Sequence, residues 1–302
     1  LFDFPGMEVR VEAPVDYRLN IQVILSDELT TQQLKDFKAK LKIGSINRSL
    51  SNDAIKEFAL SLDDSKAKVQ GFESPSSLND AKLLELGSKT VVVTKESLCG
   101  DAFTAIPPKS GYILLPYDTS DGLIKLDWAT HPHDDNYFMQ SAHIFESRND
   151  ESIDLFLNRE TPKNKSFIKN FIKTLGGKPK PVISGSDAHK IQDYGKYPSG
   201  KITWIKADVT FQGLKQVINE PADRAFIGNT PFKLIEVVNN KSKHIDSIKI
   251  VHTAPGTTPA WFSDELQLNN GLVAIIGKKG SGKSALADII SLCGDSKINQ
   301  KD

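Results

Sequence analysis

The sequence has little that would cross-link it or seat it in lipid. Only two of its 302 residues are cysteine. Cys99 and Cys293 stand far apart, in neither a metal-binding nor a redox spacing, which argues against a disulfide framework and suits a reducing compartment. No apolar run approaches the roughly 18 residues that a membrane-spanning helix needs, and no secretory leader is recognisable. Neither sign of charge is in excess, because 38 Lys and Arg balance 38 Asp and Glu. Net charge therefore supplies no global attraction to nucleic acid or to an anionic membrane, although a local basic groove is compatible with it. Internal repeats and low-complexity tracts are lacking as well. These absences lead us to expect a cytoplasmic protein with no membrane association.

What is present is the composition of an ordinary globular chain, 39% hydrophobic and 25% charged. The length suggests two domains. The chain opens on Leu1 rather than Met, and few residues follow Ser284, so it reads as the middle of a longer polypeptide. Residues 7–11 and 19–25 are rich in Val, Ile and Leu and predict strands. Residues 28–43 carry apolar positions at helical spacing, with Ser26 or Asp27 as the expected cap. Further strands are expected at 90–94, 112–116, 142–145 and 181–183, and helices at 78–86, 166–175 and 210–219. Residues 120–137 read as a polar loop. The alternation of strand and helix up to about residue 228 argues for an α/β layer or barrel. Three more strands are expected at 234–238, 245–252 and 272–276, the last feeding a helix over 283–292. This divides the chain into residues 1–230 and 231–302.

The sharpest motif is Gly277-Lys278-Lys279-Gly280-Ser281-Gly282-Lys283-Ser284, the Gly-x4-Gly-Lys-[Ser/Thr] pattern of a phosphate-binding loop. Glycines let the backbone wrap an anion with its N–H groups inward. Lys283 would reach the β- and γ-phosphates of ATP, and Ser284 would offer its hydroxyl to Mg²⁺. The helix that begins there, including the N–H of Ala285, adds a positive end. A glycine-rich turn with no ligand is the competing reading, and a strand before the loop with an apolar helix after it disfavours that.

The flanks, Asn269-Asn270-Gly271-Leu272-Val273-Ala274-Ile275-Ile276 before the loop and Ala285-Leu286-Ala287-Asp288-Ile289-Ile290 after it, resemble the first lobe of ABC-type ATPases of the SMC-like branch. The resemblance implies ATP-driven engagement of heads in a homodimer or higher oligomer. It also implies a signature motif and an acidic Walker B strand much later in the chain, and neither stands within these residues. A small P-loop kinase or GTPase is disfavoured by the lead-in to the loop and by the large domain before it.

A second motif, Ser184-Gly185-Ser186-Asp187-Ala188-His189, follows an apolar strand. Asp187 and His189, two apart at a strand end, can point into one cavity and share a metal ion. The stretch resembles the last metal motif of PHP (polymerase and histidinol phosphatase) domains. Its continuation through Lys201-Ile202-Thr203-Trp204-Ile205 and Arg224-Ala225-Phe226-Ile227-Gly228 resembles the TrlF-type variant fused to an SMC-like ATPase. That resemblance implies a distorted (β/α)7 barrel, followed by the first part of a P-loop nucleotide-binding domain. It also implies phosphoester hydrolysis on a cluster of Mn²⁺, Zn²⁺ or Fe²⁺, with Asp187 and His189 as catalytic metal ligands.

Carried over residue by residue, the pattern holds only in part. Glu8 in Gly6-Met7-Glu8 matches a metal-bridging glutamate, and it equally fits a solvated strand residue. Asn20 stands where a ligand histidine is expected, and Leu115-Pro116-Tyr117-Asp118 where Ala-His-Pro is usual. His143 and Glu146 match a segment that supplies another ligand, and a half-buried strand carries such residues without metal too. His131-Pro132-His133-Asp134-Asp135 reads as solvated loop. Two functions follow from these residues. One is an ATP-governed nuclease acting on nucleic acid in bacterial DNA maintenance or antiviral defence. The other is an inactive PHP scaffold whose ATP site switches the binding of DNA or a partner.

Overall fold

The computed structural model describes residues 4–17, 19–186, 188, 190–251 and 265–294, and the chain divides into two units after Asn229. In the first unit, β1 (Gly6–Val11) and β2 (Leu19–Leu25) form an antiparallel hairpin. Its alternation is that of a strand pair with one buried face. Val9, Val11, Leu19, Ile21, Val23 and Leu25 are buried, while Glu8 and its partner Gln22 are exposed. Two small ladder strands follow, β3 (Lys42–Ile43) and β4 (Arg48–Ser49). β5 (Gly111–Pro116) is buried at all six positions, as a continuous apolar run in mid-sheet should be. It pairs antiparallel with β2 and parallel with β6 (Ile144–Glu146), which in turn pairs parallel with β7 (Val182–Ile183). The sheet order is β1-β2-β5-β6-β7.

The unit is thus a mixed α/β structure on a five-strand mixed sheet. Among the described residues this sheet does not close into a barrel. The β1–β2 hairpin gives that side antiparallel pairing in place of βα units, and β7 ends after two residues. β8 (Thr203–Ile205) and β9 (Ala225–Ile227) pair antiparallel as a separate ladder.

The helices begin where short polar side chains cap them. α1 (Thr31–Lys40) starts at Thr30, whose hydroxyl and the Gln33 side chain form a reciprocal capping box. The expected cap, Ser26, instead accepts a hydrogen bond from the Glu28 amide. Ser51, Asp63, Asn79 and Thr94 cap α2 (Asn52–Leu60), α3 (Asp64–Val69), α4 (Asp80–Thr90) and α5 (Lys95–Cys99). The strand expected at 90–94 is reduced to Val93, which bridges Val11 and Ile43, because Thr90 still belongs to α4. The loop expected over 120–137 contains most of α6 (Pro132–Ser141), with Pro132 in its first turn and Phe138 and Met139 buried. α7 (Asp150–Phe156) and α8 (Ile168–Thr174) follow, and the chain leaves α8 through Gly176 and Gly177 at φ 82° and 84°. Thr210 caps α9 (Phe211–Asn219), and α10 (Pro221–Arg224) leads into β9.

The main core lies on the face of the sheet carrying Val9, Ile21, Ile113, Leu115, Phe145 and Val182. Phe145 stacks on Phe156 of α7 at 4.1 Å, and Tyr117 meets Phe156 edge-on at 4.8 Å. On the opposite face Tyr112 stacks on Phe211 of α9 at 5.2 Å.

The second unit contains α11 (Phe232–Asn239), the antiparallel pair β10 (Ser247–Lys249) and β11 (Glu265–Gln267), and α12 (Lys283–Cys293). Residues 234–238, expected as a strand, are helical. Residues 272–276 pair with no strand among the described residues, and Leu272 and Ile276 are 90% and 89% exposed. The apolar run there has the composition of a strand, but a strand assignment needs a neighbour to hydrogen-bond.

No helix among the described residues is long and apolar enough to cross a membrane. The α2–α4 packing generates a stability prediction. A Cβ on Gly87 of α4 would stand 2.4 Å from the Ile55 carbonyl oxygen of α2, so the helices would have to separate. Gly87→Ala is expected to lower unfolding stability by about 1–3 kcal/mol in urea titrations, outweighing the gain in helix propensity.

Candidate functional site

Two places collect the residues that the motifs single out. In the second unit the glycine-rich loop runs into α12. Gly280 and Gly282 take φ 81° and 83°, conformations that strain any residue with a Cβ. At Gly277 the constraint is space, because a Cβ there would lie 2.6 Å from the Ser281 hydroxyl. Lys283 opens the helix and folds back over the loop. Its ammonium donates to the carbonyls of Gly277 at 2.9 Å and Lys278 at 2.8 Å. The Ser281 amide donates to the Lys278 carbonyl at 3.3 Å, and the first helical bond runs from the Leu286 amide to the Gly282 carbonyl at 2.9 Å. The loop is therefore a ring closed by a lysine at a helix N-terminus, where amides lack partners within the helix. Lys278, Lys279, Gly280, Ser281, Ser284 and Ala285 are all exposed.

The second place is the carboxyl edge of the sheet in the first unit. β5, β6 and β7 run parallel, so Tyr117-Asp118, Ser147-Arg148 and Ser184-Gly185 leave the sheet on one side. β2 runs the other way and brings Asn20 to that same edge. Ser147 donates its hydroxyl to Asp118 at 2.5 Å. Thr119 donates to Asp121 at 3.0 Å, and the Asn20 amide reaches the same carboxylate at 3.5 Å. Tyr17 donates to the Gly122 carbonyl at 2.9 Å. Burial pushes the Tyr117 phenol up to about 12, so it stays protonated.

Beyond β6, Glu146 has the Arg148 guanidinium at 3.9 Å. Arg148 also donates to the Gly185 carbonyl at 3.2 Å. Lys201 donates to the Arg148 carbonyl at 2.8 Å and to Asp150 at 2.7 Å.

Comparisons with protein-family models, with curated proteins and with solved structures give no match.

Of the metal ligands expected from the sequence, those among the described residues are not brought together. Asp187 and His189 lie outside the described residues. Glu8 is exposed and faces Gln22, and the register puts it on the same sheet face as Glu146. Three inter-strand spacings separate those two strands, roughly 14 Å along the sheet, too far for one ion to bridge. Asn20 is bonded to Asp121, and Pro116 has no donor atom on its side chain. Among the described residues no three His, Cys, Asp or Glu side chains converge at metal-binding distance. A multi-metal cluster therefore does not fit the described residues.

His143 turns into the protein. Its backbone N–H donates to the Ile113 carbonyl at 2.8 Å, and its Nδ1 accepts the Ile113 amide at 3.1 Å. His131 starts α6, with its carbonyl accepting the Asp135 amide at 3.1 Å, and Asp134 pairs with Lys95. These residues begin a helix rather than lie in a solvated loop. Sequence reasoning missed Arg148, Lys201 and Thr203, whose hydroxyl accepts the Ser184 amide at 2.7 Å and donates to the Ser184 carbonyl at 2.9 Å, as residues of this edge. Arg148, two residues beyond Glu146, carried a signal, since a cation beside a candidate metal ligand competes with the metal.

His143 supplies a pH prediction. Burial, with Lys180 nearby, holds its pKa down to about 4 against an ordinary 6.5. As pH falls, the unfolded chain takes the proton first. The stability that His143 contributes is thus complete above about 6.5 and lost as pH falls toward about 4, by up to about 3 kcal/mol. Urea midpoints of the parent should fall across that window relative to those of His143→Gln. Parallel curves for the two proteins would contradict it.

Proposed function

We propose that the chain binds ATP with Mg²⁺ on Gly277, Lys278, Lys279, Gly280, Ser281, Gly282, Lys283, Ser284 and Ala285. The observation that carries this reading is the Lys283 ammonium lying across the loop on the Gly277 and Lys278 carbonyls, with no carboxylate bonded to it among the described residues. A cation held by neutral carbonyls keeps its full charge for phosphate. The loop amides and the start of α12 would hold the phosphate oxygens, and the Ser284 hydroxyl would hold Mg²⁺, which supplies charge neutralisation at the β- and γ-oxygens. The left-handed glycines and the lack of room for a Cβ at Gly277 fit such a cradle. The likeness of the flanks to SMC-like ATPases supports heads that engage in a homodimer or higher oligomer.

For the first unit the reading is a PHP-like phosphoesterase of nuclease type, under nucleotide control, in bacterial DNA maintenance or defence. Its support is the Ser184-to-His189 motif of the sequence, whose first residues, Ser184 and Gly185, leave the carboxyl edge of a partly parallel sheet, where α/β proteins place their ligands. Asp187 and His189 would be the residues to hold a Mn²⁺, Zn²⁺ or Fe²⁺ ion. We derive no metal-borne step, because the described residues do not assemble the full cluster.

A second reading, an inactive scaffold with an ATP-switched binding role for DNA or a partner, is favoured by a specific observation. Glu146 already has a cation beside it in Arg148, and Asn20 stands in a ligand position.

Isothermal titration with Mg²⁺-ATP tests the nucleotide site. Lys283→Ala should weaken binding at least tenfold, since a charge-assisted hydrogen bond is worth about 1.5–3 kcal/mol. Equal affinity would contradict the site. Cleavage of single- and double-stranded DNA and RNA in Mn²⁺ separates the two readings of the first unit. Cleavage abolished by Asp187→Ala supports the nuclease, whereas no cleavage by the parent supports the scaffold.

A further inference from the structure

Trp204 and Phe226 stand directly opposite each other in the β8–β9 ladder, on the face away from the buried Ala225. The Lys206 amide donates to the Arg224 carbonyl at 2.8 Å, and the Gly228 amide to the Ile202 carbonyl at 2.9 Å. Pairing thus continues one residue past each end of the ladder. By the alternation of a strand, Lys206, Arg224 and Gly228 share the face of the two aromatic residues. An aromatic pair and a cationic pair therefore follow each other on one side of a two-stranded hairpin.

Both rings are held at Gly228. The Trp204 indole N–H donates to the Gly228 carbonyl at 3.0 Å. A Cβ on Gly228 would stand 2.9 Å from Phe226 Cζ, so the Phe226 ring lies against bare backbone. Phe226 is still 38% exposed, and neither ring makes an aromatic contact among the described residues. The two faces are fixed in place and left open. Lys206 is exposed, and no carboxylate pairs with it among the described residues. Arg224 is braced by Glu220 at 2.7 Å and by the Lys206 carbonyl at 2.9 Å. The core of a protein interface is depleted in lysine. An aromatic pair bordered by Lys206 suits instead a chain that offers flat rings and negative charge in turn.

We propose that this face is a stacking platform for single-stranded nucleic acid. Trp204 and Phe226 each take the face of a base, and Lys206 with Arg224 takes the backbone phosphates. Unpaired bases present free π-faces to aromatic side chains, whereas the bases of a duplex are stacked on their neighbours. Rings held in advance lose little freedom on binding. The proposal rests on the reading of the first unit as one that meets nucleic acid, and adds the form of the strand and the place. No metal ion enters it.

Fluorescence anisotropy on the full chain, in EDTA to exclude cleavage, tests it with labelled oligothymidine and with the corresponding duplex. The parent should bind the single strand about tenfold or more tighter than the duplex. Phe226→Leu keeps an apolar side chain and removes the ring. It should weaken single-strand binding about fivefold or more, with Phe226→Tyr near the parent. Lys206→Gln should lower the slope of log affinity against log salt by about 0.7. Thermal midpoints should stay at that of the parent.

Single-strand binding that neither Phe226→Leu nor Lys206→Gln alters overturns the platform and leaves the nucleic-acid reading, with the contact elsewhere. Equal losses on single strand and duplex overturn it as well, because paired bases offer no free face. A parent that binds neither overturns the platform and the nucleic-acid reading together. Should Phe226→Leu fail to fold, the salt slope of Lys206→Gln, at an exposed residue, decides the test.

Discussion

The first unit depends on the burial of β5. All six of its residues, Gly111 to Pro116, are withdrawn from water, so each backbone group must be paired within the sheet. β2 provides those pairs on one edge and β6 on the other, in opposite orientations. That arrangement makes the sheet mixed, and it brings the start of β2 to the same edge as the ends of β5, β6 and β7. Asn20, Asp118, Arg148 and Ser184 meet at one edge for this reason. The Phe145–Phe156 stack then closes the core beneath that edge.

Two carboxylates at the edge have cations of the chain beside them: Glu146 has Arg148 and Asp150 has Lys201. Such pairing lowers the pull on a divalent cation from each carboxylate in turn. In the glycine loop the balance is the reverse. There Lys283 is held, among the described residues, by carbonyls alone, the arrangement on which the proposed anion site rests. The same physical rule, that a charge is available only where its neighbours do not neutralise it, separates the two places.

Much of this was legible in the residues. The alternation in β1 and β2, the apolar run of β5, the helix at Lys283 and the glycine-loop spacing all follow from local pattern. Among the expectations that failed, three show their reasons plainly. Residues 234–238 are apolar but for Glu236, and so short a run reads as strand or helix alike until its neighbours are known. Residues 120–137 are mostly polar around the buried Leu123 and Leu126, the buried Phe138 and Met139 fall just past them, and Pro132 is the start signal of the helix. A barrel was expected by resemblance, whereas closure is a property of strand pairing that no local pattern encodes. The site followed the same division. The loop chemistry of Lys283 and Ser284 is a matter of spacing, but the pairing of Thr203 with Ser184 is a long-range contact with no sequence signature.

The central claim is that residues 277–285 form a triphosphate cradle with Lys283 as its cation. A crystal structure grown with Mg²⁺ and a non-hydrolysable ATP analogue tests it most directly. The account predicts β- and γ-phosphate oxygens within hydrogen-bond distance of Lys283 Nζ and of the loop amides, with the Ser284 hydroxyl on the Mg²⁺. Nucleotide bound elsewhere on the chain, with Lys283 still bonded only to the Gly277 and Lys278 carbonyls, would contradict it.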